Sequence, residues 1–142
     1  MQPTSKGPLD TDYLGKVDKF VQISLKNNAV ALLDPHNYAR RNSNADPWKG
    51  KVMTVEEDGP DFADLWAKLA EKYKNNDKVL FGLMNEPHEI DTAVWFKLAQ
   101  LAIDAIRKTG AKNLVMVPGS CFAGAHRCVL HIYRFLFTFS SL

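Results

Sequence analysis

The sequence predicts an α/β protein built on a parallel sheet. Two observations carry that prediction. Amphipathic segments with a helical period alternate three times with short apolar runs. The apolar runs are continuous, as strands covered on both faces require. A third observation narrows the choice, because polar residues crowd the ends of the first two runs, in "DPHNYAR" and "NEPHE". Two architectures fit, a doubly wound sheet and a (β/α) barrel, and both place functional residues at the C-terminal ends of strands.

The first helix is expected within residues 9–28, "LDTDYLGKVDKFVQISLKNN", with Asp10 or Thr11 as its cap and Leu14, Val17 and Val21 on one face. "AVALLD", residues 29–34, reads as a strand buried on both faces. The polar stretch over residues 40–60, "RRNSNADPWKGKVMTVEEDGP", is too long for a simple connector and is either functional or a small insertion. The second helix is expected to begin near Pro60 or Asp61. Phe62, Leu65, Trp66, Leu69 and Tyr73 follow helical spacing, and "KNN" ends it. "KVLFGLM", residues 78–84, is the second strand. A third helix spans about Asp91 to Thr109, with Leu98, Leu101, Ala102, Ala105 and Ile106 on its buried face and Gly110 as its stop. "NLVMVPG", residues 113–119, is the third strand.

The chain has 142 residues, 46% hydrophobic and 24% charged, within the range of an ordinary globular domain. With a net charge of +2 and no basic block, nothing points to a nucleic-acid surface. No apolar run approaches the roughly 18 residues of a membrane span, and "MQPTSKGPLD" lacks a signal-peptide core. Cys121 and Cys128 lie close enough in sequence to pair, but two cysteines make no disulfide scaffold. There is no glycine-rich phosphate loop, Walker sequence or nucleophile elbow.

The strand tips carry the chemistry. If the first two strands are neighbours, their ends lie roughly 5 Å apart, so His36 and Glu86 can share a pocket. A carboxyl on an apolar strand loses solvation, which favours its protonated form and suits a general acid. Asn85 can donate and accept toward a sugar hydroxyl. Pro87 is expected to hold Glu86 extended. His36, between Asp34 and Asn37, suits positioning a substrate hydroxyl or a carboxylate. Plainer roles exist, a helix cap or lysine partner for Glu86 and a structural one for His36. "NEP" after one apolar strand, beside "DPHN" after another, favours chemistry. Asp34, His36, Glu86, His88 and Glu89 are possible metal ligands, yet no H-x-H or H-E-x-x-H pair fixes a geometry, so no metal or other cofactor is expected. His88 and Glu89 fit the loop leading into the third helix. Tyr38, Trp48 and Phe122 offer aromatic faces to sugar rings, with core packing an equal alternative for Trp48; Trp66 and Trp95 sit in helices and read as core.

"ALLDPHNYAR", "GLMNEPHEID", "AIDAIRKTGAKNLVMVPG" and "AGAH" together resemble the fungal endo-β-1,4-glucanases of glycoside hydrolase family 5, from near the N-terminus to about His126. The resemblance implies a (β/α)₈ (TIM) barrel that cleaves cellulose with retention. It makes Glu86 the catalytic acid/base. Asn85 becomes the ligand of the neighbouring sugar hydroxyl, and His36 part of the active-site shell, with Asn37 and Tyr38 beside it. The family often carries "NxWTGA" where this chain reads "SCFAGA", which puts Phe122 at the tryptophan position. The resemblance also implies secretion, a monomer and a β-glucan substrate.

A complete barrel needs roughly 250 residues. The expected organisation is therefore an incomplete barrel over residues 1–126, followed by an aromatic-rich tail, 127–142, outside the family pattern. The plainer reading of the tail is a sixth strand packing Ile132, Phe135, Phe137 and Phe139. Retaining hydrolysis needs two carboxyl groups roughly 5–5.5 Å apart. Glu86 supplies one, and no residue here matches the family's nucleophile motif. The isolated chain is expected to be inactive or nearly so. A non-catalytic carbohydrate-binding role, through Tyr38, Trp48 and Asn85, and a metal-dependent hydrolase are the alternatives.

Overall fold

The computed structural model describes residues 1–2, 4–41 and 50–124. Trp48, His126, Cys128 and the 127–142 tail lie outside them.

Helix α1 is Thr11–Lys26, and the Asp10 carboxylate caps it by accepting from Tyr13 N at 2.7 Å. Val21 is buried, with Leu14 and Val17 packed at the margin of the core. A polar tether joins α1 to the second helix. The Tyr73 hydroxyl donates to Asp18 Oδ1 at 2.7 Å, and Lys72 Nζ lies 2.9 Å from Asp18 Oδ2. Burial and the Asp18 charge push the Tyr73 phenol well above its usual range. For Asp18, burial pulls upward, but the Tyr73 and Lys72 contacts outweigh it and hold the carboxyl low.

Strand β1 is Ala31–Leu33, shorter than the apolar run. A small antiparallel pairing follows within the long polar stretch, β2 (Arg40–Arg41) with β3 (Lys51–Val52). Gly50 is required there, because a Cβ would come within 2.4 Å of the Arg41 carbonyl oxygen.

Helix α2 is Val55–Tyr73 and starts a turn and a half before the expected Pro60. The reason is a cap that outranks the proline. Thr54 Oγ1 accepts from Glu57 N at 3.3 Å, and Asp58 Oδ2 accepts from Thr54 N at 2.7 Å. Pro60 therefore lies inside the helix, where it gives up one hydrogen bond. Strand β4 is Val79–Gly82. Helix α3, Thr92–Lys108, matches the expected span, with Asp91 capping Ala93 N and Val94 N. Its buried face is Trp95, Leu98, Ala99, Ala102 and Ile106. Leu101, expected there, is 38% exposed at the margin of the stripe, leaning over Gly59 of α2. Gly110, at φ 83, reverses the chain after α3. Strand β5 is only Val115–Met116.

The sheet order is β1-β4-β5, all parallel, with Ala31 beside Val79 and Phe81 beside Val115. One face lies under α2 and α3, which pack on each other. Trp66 meets Phe81 at 5.6 Å between ring centroids, Phe62 meets Trp95 at 6.2 Å, and both tryptophans are fully buried. The other face departs from the expected two-sided burial. Val30, Leu32, Leu114 and Met116 are exposed, so among the described residues only the helix side of the sheet is covered. The expected fold class holds: parallel strands alternating with helices form part of a (β/α) barrel. No helix among the described residues is long and apolar enough to cross a membrane.

Candidate active site

Register brings the predicted residues together. Because β1 pairs directly with β4, the segments that follow them emerge side by side. Asn85 N donates to the Pro35 carbonyl at 2.9 Å and joins the two tips. The Asn85 amide Nδ2 lies 3.3 Å from His36 Nε2, and the Tyr38 hydroxyl lies 2.6 Å from the same nitrogen. If Nε2 accepts from both, the ring proton sits on Nδ1. His36 is exposed beside Asn85, so an imidazole and an amide present polar atoms at one place on the rim.

Glu86 is also exposed. The expected desolvation is therefore not met. The expected extended backbone is not met either, since Glu86 stands at φ 43. The chain turns at once toward α3, and the left-handed well permits that turn where proline disfavours right-handed helix. The turn is fixed on its far side by Phe122 N, which donates to the Pro87 carbonyl at 3.0 Å. Left-handed residues recur at every tip of the sheet: Tyr38 and Ala39 after β1, Glu86 and Glu89 after β4, Phe122 and Ala123 after β5. Such strain costs roughly 1–3 kcal/mol per residue and gathers where function over-determines the backbone.

Other expectations are revised. Tyr38 is only 8% exposed, edge-on to His36 and His88, so it offers no open face to a sugar and acts through its hydroxyl on His36. Asn37 spends its amide on the Arg40 carbonyl and shapes a turn. Phe122 is 52% exposed and stacked on His88 at 4.5 Å, with the planes 7° apart. It is the aromatic surface open to a ligand at this rim among the described residues named as candidates. Burial pushes the Asp34 carboxyl up, only partly opposed by the neighbouring His36. Among the described residues no three His, Cys, Asp or Glu side chains gather as a metal site.

Sequence reasoning missed Arg40. Its side chain is buried beneath the rim, and its Nη2 lies 3.2 Å from His88 Nδ1 and 2.8 Å from Glu89 Oε2. His88 Nδ1 must accept from that guanidinium, which places the imidazole proton on Nε2. No sequence signal connects these residues, which are 48 and 49 positions apart. The β5 tip is anchored separately, by Trp95 Nε1 to the Pro118 carbonyl at 2.7 Å and by Thr92 Oγ1 to Ser120 Oγ at 2.8 Å.

Parallel strands under helices, with an acid, an amide and an imidazole at their C-terminal rim, form part of a (β/α) barrel. The chain belongs to the cellulase family, glycosyl hydrolase family 5, whose profile matches residues 1–132. It is 37% identical over 131 residues to the manganese dependent endoglucanase Eg5A of Phanerodontia chrysosporium, covering 88% of this chain and 32% of that one. It is 40% identical over 121 residues to endoglucanase 1 of Robillarda sp., covering 81% and 31%. Among solved structures, XacCel5A in complex with cellopentaose superposes with a TM-score of 0.78 at 42% identity, over 88% of this chain and 38% of that one. Cel5A (EG2) of Hypocrea jecorina gives 0.69 at 35% identity, over 82% and 34%. The chain thus spans about a third of the length of the curated relatives it matches.

Proposed function

We propose that this chain carries the acid/base portion of a retaining β-1,4-glucan hydrolase, secreted and monomeric in its whole form. The observation that supports it best is the meeting of Asn85 with His36 at 3.3 Å, with the exposed Glu86 next in the chain. In this reading Asn85 holds the hydroxyl next to the scissile bond, with its amide set by His36. Glu86 protonates the leaving glycosidic oxygen as a nucleophilic carboxylate from the remainder of the barrel bonds the anomeric carbon, and then, as carboxylate, takes a proton from the water that displaces that nucleophile. Phe122, backed by His88, is the apolar platform for a sugar ring. Manganese dependence is stated of the Phanerodontia chrysosporium relative; no step here is routed through a metal.

The chain by itself is expected to bind cellopentaose without releasing reducing ends. A chimera continuing this chain with the remaining barrel strands of the Robillarda relative is expected to cleave carboxymethylcellulose, and Glu86→Gln should slow it by about 10²–10⁴-fold. Cleavage that survives Glu86→Gln unchanged would overturn the acid/base role. Carbohydrate binding without turnover is the second reading, favoured by the open face of Phe122. Its outcome is a chimera that binds cellopentaose, loses that binding on Phe122→Ala, and never cleaves.

A further inference from the structure

We propose that Arg40 is a positioning residue for Glu86: it holds the segment 85–90 in its left-handed turn through His88 and Glu89. The inference rests on the reading of Glu86 as acid/base, but its physical content is a backbone conformation that can be measured without catalysis.

The segment 85–90 is strained at two places, Glu86 at φ 43 and Glu89 at φ 49. Neither is glycine, so neighbouring contacts must hold both in that well. Two contacts are backbone ones, Asn85 N to Pro35 O and Phe122 N to Pro87 O, and they fix the entry and the middle of the turn. Beyond Pro87 the hold passes to Arg40. One guanidinium nitrogen reaches the imidazole of His88 and the carboxylate of Glu89, the two residues that follow the proline. Both contacts converge on the single nitrogen Nη2, so the two partners are held close to one point.

The energetics argue against a role in stability alone. The Arg40 side chain is 3% exposed, whereas its carboxylate partner Glu89 is 78% exposed. Nη1 has no hydrogen-bond partner among the described residues. Burying a guanidinium costs several kcal/mol, and a solvated carboxylate returns only part of it. An apolar side chain at position 40 would pack there at lower cost. What only a buried, directional donor supplies is the orientation of His88 and Glu89, and with it the turn that presents Glu86. Arg40 belongs to the β2–β3 pair, so that pair is the frame from which the acid is aimed.

The test is nuclear magnetic resonance on the chain labelled with ¹⁵N and ¹³C. A residue at positive φ shows a strong intraresidue amide–Hα cross-peak, expected for Glu86 and Glu89, and His88 is expected as the Nε2–H tautomer. In Arg40→Gln the Glu86 cross-peak should weaken several-fold and the His88 ring nitrogens should shift toward a mixed tautomer, while the amides of α2 and α3 stay in place. Arg40→Lys, which keeps a single charged donor on a shorter and more flexible stem, should fall between. Glu89→Ala leaves Arg40 buried and removes only an exposed arm. It should weaken the Glu86 signature by itself and keeps the test decisive if Arg40→Gln fails to fold. A Glu86 signature unchanged in folded Arg40→Gln, or in Glu89→Ala, overturns the proposal. The readout does not depend on turnover, so its failure is distinct from failure of the acid/base assignment.

Discussion

At the scale of single residues, the Asp18–Tyr73 pair makes the most direct prediction. Tyr73 is held high, so its stabilisation is complete below its ordinary value of 10.0 and is lost as pH rises through the still higher folded value. Asp18 is held low, so its share is present above its ordinary value of 3.8 and is lost as pH falls through the lower folded one. Tyr73→Phe is expected to cost about 1 kcal/mol at neutral pH, discounted because Asp18 is partly solvated. It should also flatten both the acid and alkaline flanks of a denaturant-midpoint profile; a profile unchanged from the native chain would contradict the pairing. The candidate site was partly legible at this scale. Glu86, Asn85 and His36 announce themselves because an acid, an amide and an imidazole at strand ends have few structural uses. Arg40 does not, because a guanidinium beside a predicted loop looks like any solvated charge until the fold brings His88 and Glu89 over it.

At the scale of elements, caps decide more than periodicity. Thr54 caps the helix while Asp58 reaches back to its backbone N–H, and that short signal set the start of α2 against the evidence of Pro60. Thr54→Ala should therefore destabilise by about 1 kcal/mol, read from the urea midpoint, even though the side chain packs in no core. Gly110→Ala is expected to cost roughly 1–2 kcal/mol, because it forces a Cβ into a φ of 83 where no contact repays it. The helices were legible almost to the residue where a cap was recognised. The strands were not, for a physical reason: a run of apolar residues states what can be buried, while a strand ends where its neighbour ends. β5 pairs over two residues although seven look extended in sequence.

For the molecule as a whole, the sheet has one dressed face and one bare one. Leu32, Leu114 and Met116 stand 42%, 60% and 47% exposed on the side away from the helices. An apolar surface of that kind drives association or dye binding. The chain in isolation is expected to bind an anilinonaphthalene dye and to sediment heavier than a monomer. Replacing Leu32 and Met116 together by lysine should diminish both signals, and dye binding that persists at full strength would place the sticky surface elsewhere. The α/β class was readable because strand and helix periods differ so clearly. The bare face was not, since a sequence records that Leu32 is apolar but not which neighbour covers it.

The left-handed pairs at the three strand tips bear on how this scaffold tolerates change. Body and rim obey opposite preferences: side chains there fill space, while here the backbone is what resists. Ala123, exposed at φ 51, touches on no proposed chemistry, and glycine in its place should raise stability by up to about 1 kcal/mol. A lineage or an engineer can thus harden the protein by softening its loops, provided the softened position is not one that aims the acid.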